Sequence, residues 1–232
     1  MSWTLEQALR MTWEVVKANF ATFFVVVLVV DLPQLVVELA DVNQWVDLAV
    51  SALTSILASV ALTVGTLQAL GGKRRPDVAN LLQWIFTARA GPAIVLGIVQ
   101  WLVIALGFTL LLVPGLWVLT IWMVAMPALI VERIGMGEAL NRSTALTRHR
   151  RWRVFGTFIV TVLVVGIPVA LFNALVGNVM GLREDSAGDV ILTYLTTSII
   201  DVALSILPVV LYVLLRAEQD GATVDQIAAA VD

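Results

Sequence analysis

The sequence predicts an all-α, polytopic membrane protein. Six transmembrane helices are expected as three hairpins, each preceded by a cytoplasmic amphipathic surface helix, within a single integral membrane domain over residues 1–232. Three observations predict this. Of the 232 residues, 60% are hydrophobic and 13% charged, whereas soluble domains carry about a quarter charged residues. Six apolar runs approach or exceed the ~20 residues a helix needs to cross a bilayer. Thirteen of the fourteen Lys and Arg residues fall on one side of the resulting topology, as the positive-inside rule demands.

The elements follow in chain order. The opening "MSWTLEQALRMTWEVVKANF" places Glu6 and Glu14 before any apolar run, unlike a secretory signal peptide, which is basic first and then apolar. Residues 4–19 read as the first surface helix. Leu5, Ala8, Leu9, Thr12, Val16 and Phe20 share one face, opposite Glu6, Gln7, Arg10, Glu14 and Lys17, and Thr4 with Gln7 fits a capping box. The first two spans occupy about 20–39 and 46–70. A second surface helix, 77–89, has Asp77 as its cap and an apolar stripe of Val78, Leu81, Leu82 and Ile85. Ala93 to Val131 contains no Asp, Glu, Lys or Arg, about twice the length of one span. Pro114-Gly115 is a strong turn signal and divides this run into spans at about 93–113 and 115–131. The third surface helix, 136–150, is the least amphipathic; Met136, Ala139, Leu140, Ser143 and Leu146 form its seam, and Glu138 precedes Arg142 by four residues, a favourable ion-pair spacing. Spans five and six occupy about 154–180 and 190–215. Strands are disfavoured because the runs do not alternate and an open sheet leaves backbone groups unpaired in lipid. The order surface helix, span, span occurs three times, with almost no residue identity between units.

With the N-terminus inside, Arg10, Lys17, Lys73, Arg74, Arg75, Arg89, Arg133, Arg142, Arg148, Arg150, Arg151, Arg153 and Arg216 are cytoplasmic and only Arg183 is outside. The outer loops carry Asp41, Asp47, Glu184, Asp185 and Asp189. Trp3, Trp13, Trp84 and Trp152 fall near the inner interface, Trp45 and Tyr194 near the outer one. This places the protein in the cell inner membrane, multi-pass, with both termini cytoplasmic.

Ionisable groups inside spans are the default functional candidates, and there are two. Asp31 lies eleven residues into the first span, roughly 16 Å along a helix. Asp201 lies equally deep in the sixth, counted from outside. One reading is an intramembrane proton or cation site; the other is a hydrated or structural role, with the first span kinking or ending at Leu32-Pro33. Gln68, Gln100, Asn173 and Asn178 suit interhelical hydrogen bonds, and Pro127 and Pro168 suit kinks. The lone His149 has no neighbouring ligand set for a metal and no oriented nucleophile for a triad. Absence of Cys excludes thiolate chemistry, and "GGKRRPD" lacks the spacing of a phosphate loop. Arg142, Arg148, Arg150, Arg151 and Arg153 form the densest basic stretch. Topology anchoring explains them, and anionic lipid head groups are the second reading. A pI near 5.1 argues against nucleic acid as a partner.

The segment "LLVPGLWVLTIWMVAMPALIVERIGMGEALNRSTALTRHRRWRVFG" resembles the central signature of an uncharacterised six-span family of bacterial and archaeal membrane proteins. That family is related to the membrane domain fused to some glycerophosphodiester phosphodiesterases. The matching positions are Pro114-Gly115, Pro127, Glu132, Ala139-Leu140, Arg142-Ser143 and Arg151 to Val154. Tyr212, Leu215-Arg216 and Glu218 are similar to the family's ending, although Gly221 follows two residues late, after Gln219-Asp220. The resemblance is specific from Leu110 to Gly156 and near the end of the chain. It implies the six-helix fold and no catalysis, because the fused enzymes keep their active site in a separate soluble barrel. The expected function is therefore a non-enzymatic accessory, scaffolding or lipid-interacting subunit. Its expected partners are membrane lipids, with other membrane proteins or self-association beside them, and no cofactor. The alternative is a small transporter or channel using Asp31 and Asp201.

Overall fold

The computed structural model describes residues 3–72, 76–87, 90–183 and 186–229, and all regular structure among them is helical. Lys73, Arg74, Arg75 and Arg89 of the basic set, and Glu184 and Asp185 of the acidic one, lie outside the described residues. Six helical stretches among those described are long and apolar enough to cross a membrane.

Helix α1 runs from Leu5 to Leu39 without interruption, its start capped by Thr4, whose hydroxyl accepts from the Gln7 N–H (3.2 Å). The expected division into a surface helix at 4–19 and a span at 20–39 is therefore absent. Lys17 to Phe24 contains neither Gly nor Pro, so nothing stops the hydrogen-bond ladder once it has formed. Pro33 lies inside α1, and the helix does not end there. Helix α2 (Gln44–Gly71) is capped by Asn43, and α3 (Val78–Ile85) by Asp77, ending short of residue 89.

The two prolines of the fourth and fifth spans explain their irregularity. Proline has no N–H, and its ring crowds the carbonyl four residues earlier. Four residues before Pro127 is Met123, where the fourth span breaks into α5 (Leu112–Trp122) and α6 (Ala125–Glu132). Four residues before Pro168 is Val164, the centre of a π-helical turn, Val162–Gly166, joining α8 (Arg151–Thr161) to α9 (Ile167–Met180). The turn expected at Pro114-Gly115 lies three residues earlier. Helix α4 (Ala90–Leu110) gives way at the extended Leu111, and Pro114 sits in the first turn of α5, where a missing N–H costs nothing. Gly115 serves close packing instead: a Cβ on Gly107 would stand 2.8 Å from the Gly115 Cα.

Helix α7 (Met136–Thr147) docks on α5, with Ser143 Oγ donating to the Ile121 carbonyl (2.8 Å). Helix α10 (Ala187–Gln219) and the short α11 (Val224–Ala228) complete the chain. The core is built on α2 and α10, buried on every side from Val60 to Gln68 and from Val209 to Leu215, with α1 packed on both. By contrast α9 has no buried residue, and the α4–α5 tip at Leu110 to Val113 is 64–73% exposed. Apolar surface of this kind suits lipid contact. Gln68 bonds Asn80, Gln100 bonds the Trp122 carbonyl and Asn173 accepts from Thr196, each across two helices, whereas Asn178 bonds within its own helix.

Candidate functional site at the α7–α8 elbow

The five arginines at the elbow between α7 and α8 do not form one free basic patch. Helix α6 closes at Arg133 in the left-handed region (φ 54°), and this turns the chain so that Glu132 meets Arg142 one element later. Arg142 Nε donates to both Glu132 carboxylate oxygens (2.9 and 3.1 Å), and its Nη2 reaches Asp220 at the end of α10. Arg216 pairs with Asp220 (3.2 Å) and lies 3.7 Å from Glu132. The Tyr212 hydroxyl donates to Glu132 (3.0 Å) and accepts from Arg216 (3.2 Å). Two carboxylates thus face two guanidiniums, all four 18–30% exposed. Burial pulls the Arg142 guanidinium down, but Glu132 and Asp220 more than compensate, so its pKa lies above the ordinary value and the charge is secure. The expected Glu138–Arg142 pair does not form: Glu138 turns back to accept the Gly135 N–H (3.1 Å), a capping role at the start of α7.

Two further arginines are committed to the fold. Arg150 Nε donates to Glu218 (3.2 Å), and Arg153 Nη1 donates to the carbonyl of buried Trp3 (2.8 Å). Gln219 adds a bond to the Leu146 carbonyl (2.6 Å). Arg142, Arg150 and Arg153 therefore tie the elbow to the end of α10 and to the start of α1.

Arg148 and Arg151 are different. Arg148 is exposed and makes no ion pair with a described residue. Arg151 stacks over the Trp117 ring (4.8 Å), and its buried Nε has no hydrogen-bond partner. Both line a pocket of about 390 Å³ together with His149, Arg150, Arg153, Trp117 and the 81%-exposed Trp152. The pocket shares Trp117, Arg151 and Trp152 with an almost wholly apolar furrow of about 200 Å³ between α5 and α8, walled by Val113, Leu116 and Phe155. A cationic pocket thus opens onto an apolar slot.

Asp31 and Asp201 are both half-buried, on helices α1 and α10 that pack against each other. Thr54 of α2 lies beside Asp31, but its hydroxyl donates to the Ser51 carbonyl (3.2 Å), and Asp31 Oδ1 is buried without a partner. Tyr194 donates to the Leu28 carbonyl, one turn before Asp31. Among the described residues no three His, Asp or Glu side chains come within metal-binding range.

No family model, curated protein or solved structure matches this chain. Glu132, Glu218, Asp220, Tyr212 and Trp117 were not among the site residues expected from the sequence. Two signals for them existed: Glu132 is the first charge after the long apolar run, and Tyr212, Arg216 and Asp220 recur at helical spacing of four.

Proposed function

We propose that the protein is a non-enzymatic, lipid-interacting inner-membrane protein, with both termini cytoplasmic, that holds the head group of an anionic phospholipid at the α7–α8 elbow. The observation that carries this reading is the pairing of the Arg148–Arg151 pocket with the apolar slot along α5 and α8. A phosphate takes the guanidiniums, which it meets with two parallel bonds and a full charge; an acyl chain takes the slot. Arg148 and Arg151, neither in an ion pair with a described residue, are the guanidiniums such a head group meets. In this reading the six spans form three hairpins, and α3 and α7 are surface helices on the cytoplasmic side. The resemblance to the six-span bacterial and archaeal family agrees with that architecture and adds nothing on activity. Scaffolding of other membrane proteins, or self-association, is the accessory role such a site serves.

The test is a titration of the detergent-solubilised protein with short-chain phosphatidylglycerol against short-chain phosphatidylcholine. The anionic lipid binds and the zwitterionic one does not; equal binding of the two defeats the reading. Reporters fused after Lys73, Arg183 and Asp232 should read inside, outside and inside, and an outside C-terminus overturns the topology.

A second reading is a small transporter or channel. The observation favouring it is the buried, unpartnered carboxylate oxygen of Asp31, on a helix packed against the one that carries Asp201. Proton or cation flux in reconstituted vesicles, abolished in Asp31→Asn/Asp201→Asn, is the result this reading needs; absent or unchanged flux ends it.

A further inference from the structure

A second groove lies away from the elbow, between the N-terminal half of α1, the π-helical turn and the middle of α10. Its volume is about 990 Å³, at the upper end of ligand-sized pockets (~300–1,000 Å³). It is open to the surface. Glu6, Arg10, Trp13, Lys17 and Phe20 line it in order along α1, and Val164, Val165 and Ile199 line it from the π turn and α10. Val164 and Val165 belong to the π turn, and their neighbour Thr161 also lines the groove. Single π turns inside α-helices occur frequently at functional sites. Here Pro168 supplies the cause, and the displaced ladder presents Val164, 65% exposed, to the groove.

The α1 wall carries three charges ready for a ligand. Arg10 and Lys17 are seven residues apart, two turns or roughly 10 Å on the same face of α1. Lys17 lies 5.5 Å above the Trp13 ring. Glu6 is one turn below Arg10, yet no ion pair joins Glu6, Arg10 or Lys17 to a described residue. Two cations and one anion over a long apolar floor complement a head group holding a phosphate and an amine, above an acyl chain.

The geometry points to this groove as a binding site for one aminophospholipid molecule, with its phosphate at Arg10 and Lys17, its ammonium at Glu6 and an acyl chain along the π turn. The site stands on its own residues and shares none with the elbow pocket.

Native mass spectrometry of the full chain in detergent tests it, with phosphatidylethanolamine, phosphatidylglycerol or inorganic phosphate added in turn. Phosphatidylethanolamine should give a single-lipid adduct. Val164→Trp, at an exposed position that tolerates bulk, should cut its occupancy about tenfold without moving the melting temperature. Ile199→Phe is the second filling variant if Val164→Trp misfolds. Glu6→Gln should weaken phosphatidylethanolamine and spare phosphatidylglycerol, whereas Arg10→Gln/Lys17→Gln should weaken both. Arg148→Gln/Arg151→Gln should leave the adduct intact, which separates this site from the elbow. An adduct unchanged in both filling variants overturns the proposal. So does displacement of the lipid by millimolar inorganic phosphate, which would mark a phosphate site. A shift from dimer to monomer in the filling variants would mark a contact between copies of the chain, and also overturns it.

Discussion

The end of α10 and the α5–α8 pocket are built from the same arginine-rich stretch, yet they use it in opposite ways. At the end of α10, Arg142 and Arg216 face Glu132 and Asp220, two charges against two, with Tyr212 bonded into the set. In the pocket, Arg148 and Arg151 face a cavity with no carboxylate on its lining. Sequence distance does not separate the two groups, since Arg150 and Arg151 are neighbours with different partners. What separates them is a carboxylate within reach: Arg142 has Glu132 and Asp220, and Arg150 has Glu218 although it also lines the pocket. A basic stretch is thus not one unit: part of it is tied to carboxylates of other helices, and Arg148 and Arg151 make no ion pair with a described residue.

The comparison can be broken most severely at Glu132. Glu132→Gln leaves Arg142 and Arg216 sharing one carboxylate and should lower stability by about 2–3 kcal/mol, the scale of hydrogen bonds to charged groups, read as a lower melting temperature in detergent. Next is Arg148→Gln/Arg151→Gln. At about 1 kcal/mol per basic residue near an anionic surface, phosphatidylglycerol binding should weaken roughly 30-fold, with stability lowered by no more than the ~1 kcal/mol of the lost Arg151–Trp117 stacking. A smaller effect is expected for the Arg150–Glu218 pair, where a double-mutant cycle should return only a weak favourable coupling, because both side chains remain solvated. The smallest is salt: raising ionic strength from 0.1 to 1 M shortens the screening length from ~10 to ~3 Å. That should weaken lipid binding at the open pocket more than it lowers the melting temperature set by the half-buried Glu132 cluster.

Composition and apolar run length were enough to read an all-helical chain with six stretches able to span a membrane, because the bilayer imposes helix length directly. The breaks inside those stretches were legible only in part. Pro127 and Pro168 were visible as kink residues, but the broken span at Met123 and the π turn at Val164 follow from a clash four residues upstream, which becomes specific only once the helix register is known. The union of the first surface helix with the first span was hidden because amphipathicity changes at Phe20 while the backbone does not. At the elbow, the arginines could be named, but their partners could not: Glu132 and Asp220 are 10 and 78 residues from Arg142, and only the fold makes them neighbours. The nearer Glu138, four residues away, was the local choice and is used for capping instead.

The division of the arginines is tested most directly by thermal melts of the parent, Arg142→Gln and Arg148→Gln/Arg151→Gln, each with and without phosphatidylglycerol. Arg142→Gln should melt at a lower temperature and keep the full lipid-induced upward shift. Arg148→Gln/Arg151→Gln should melt close to the parent and lose most of that shift, keeping only the part that the α1 groove supplies. The opposite pattern, with the shift lost in Arg142→Gln and kept in Arg148→Gln/Arg151→Gln, would contradict the account.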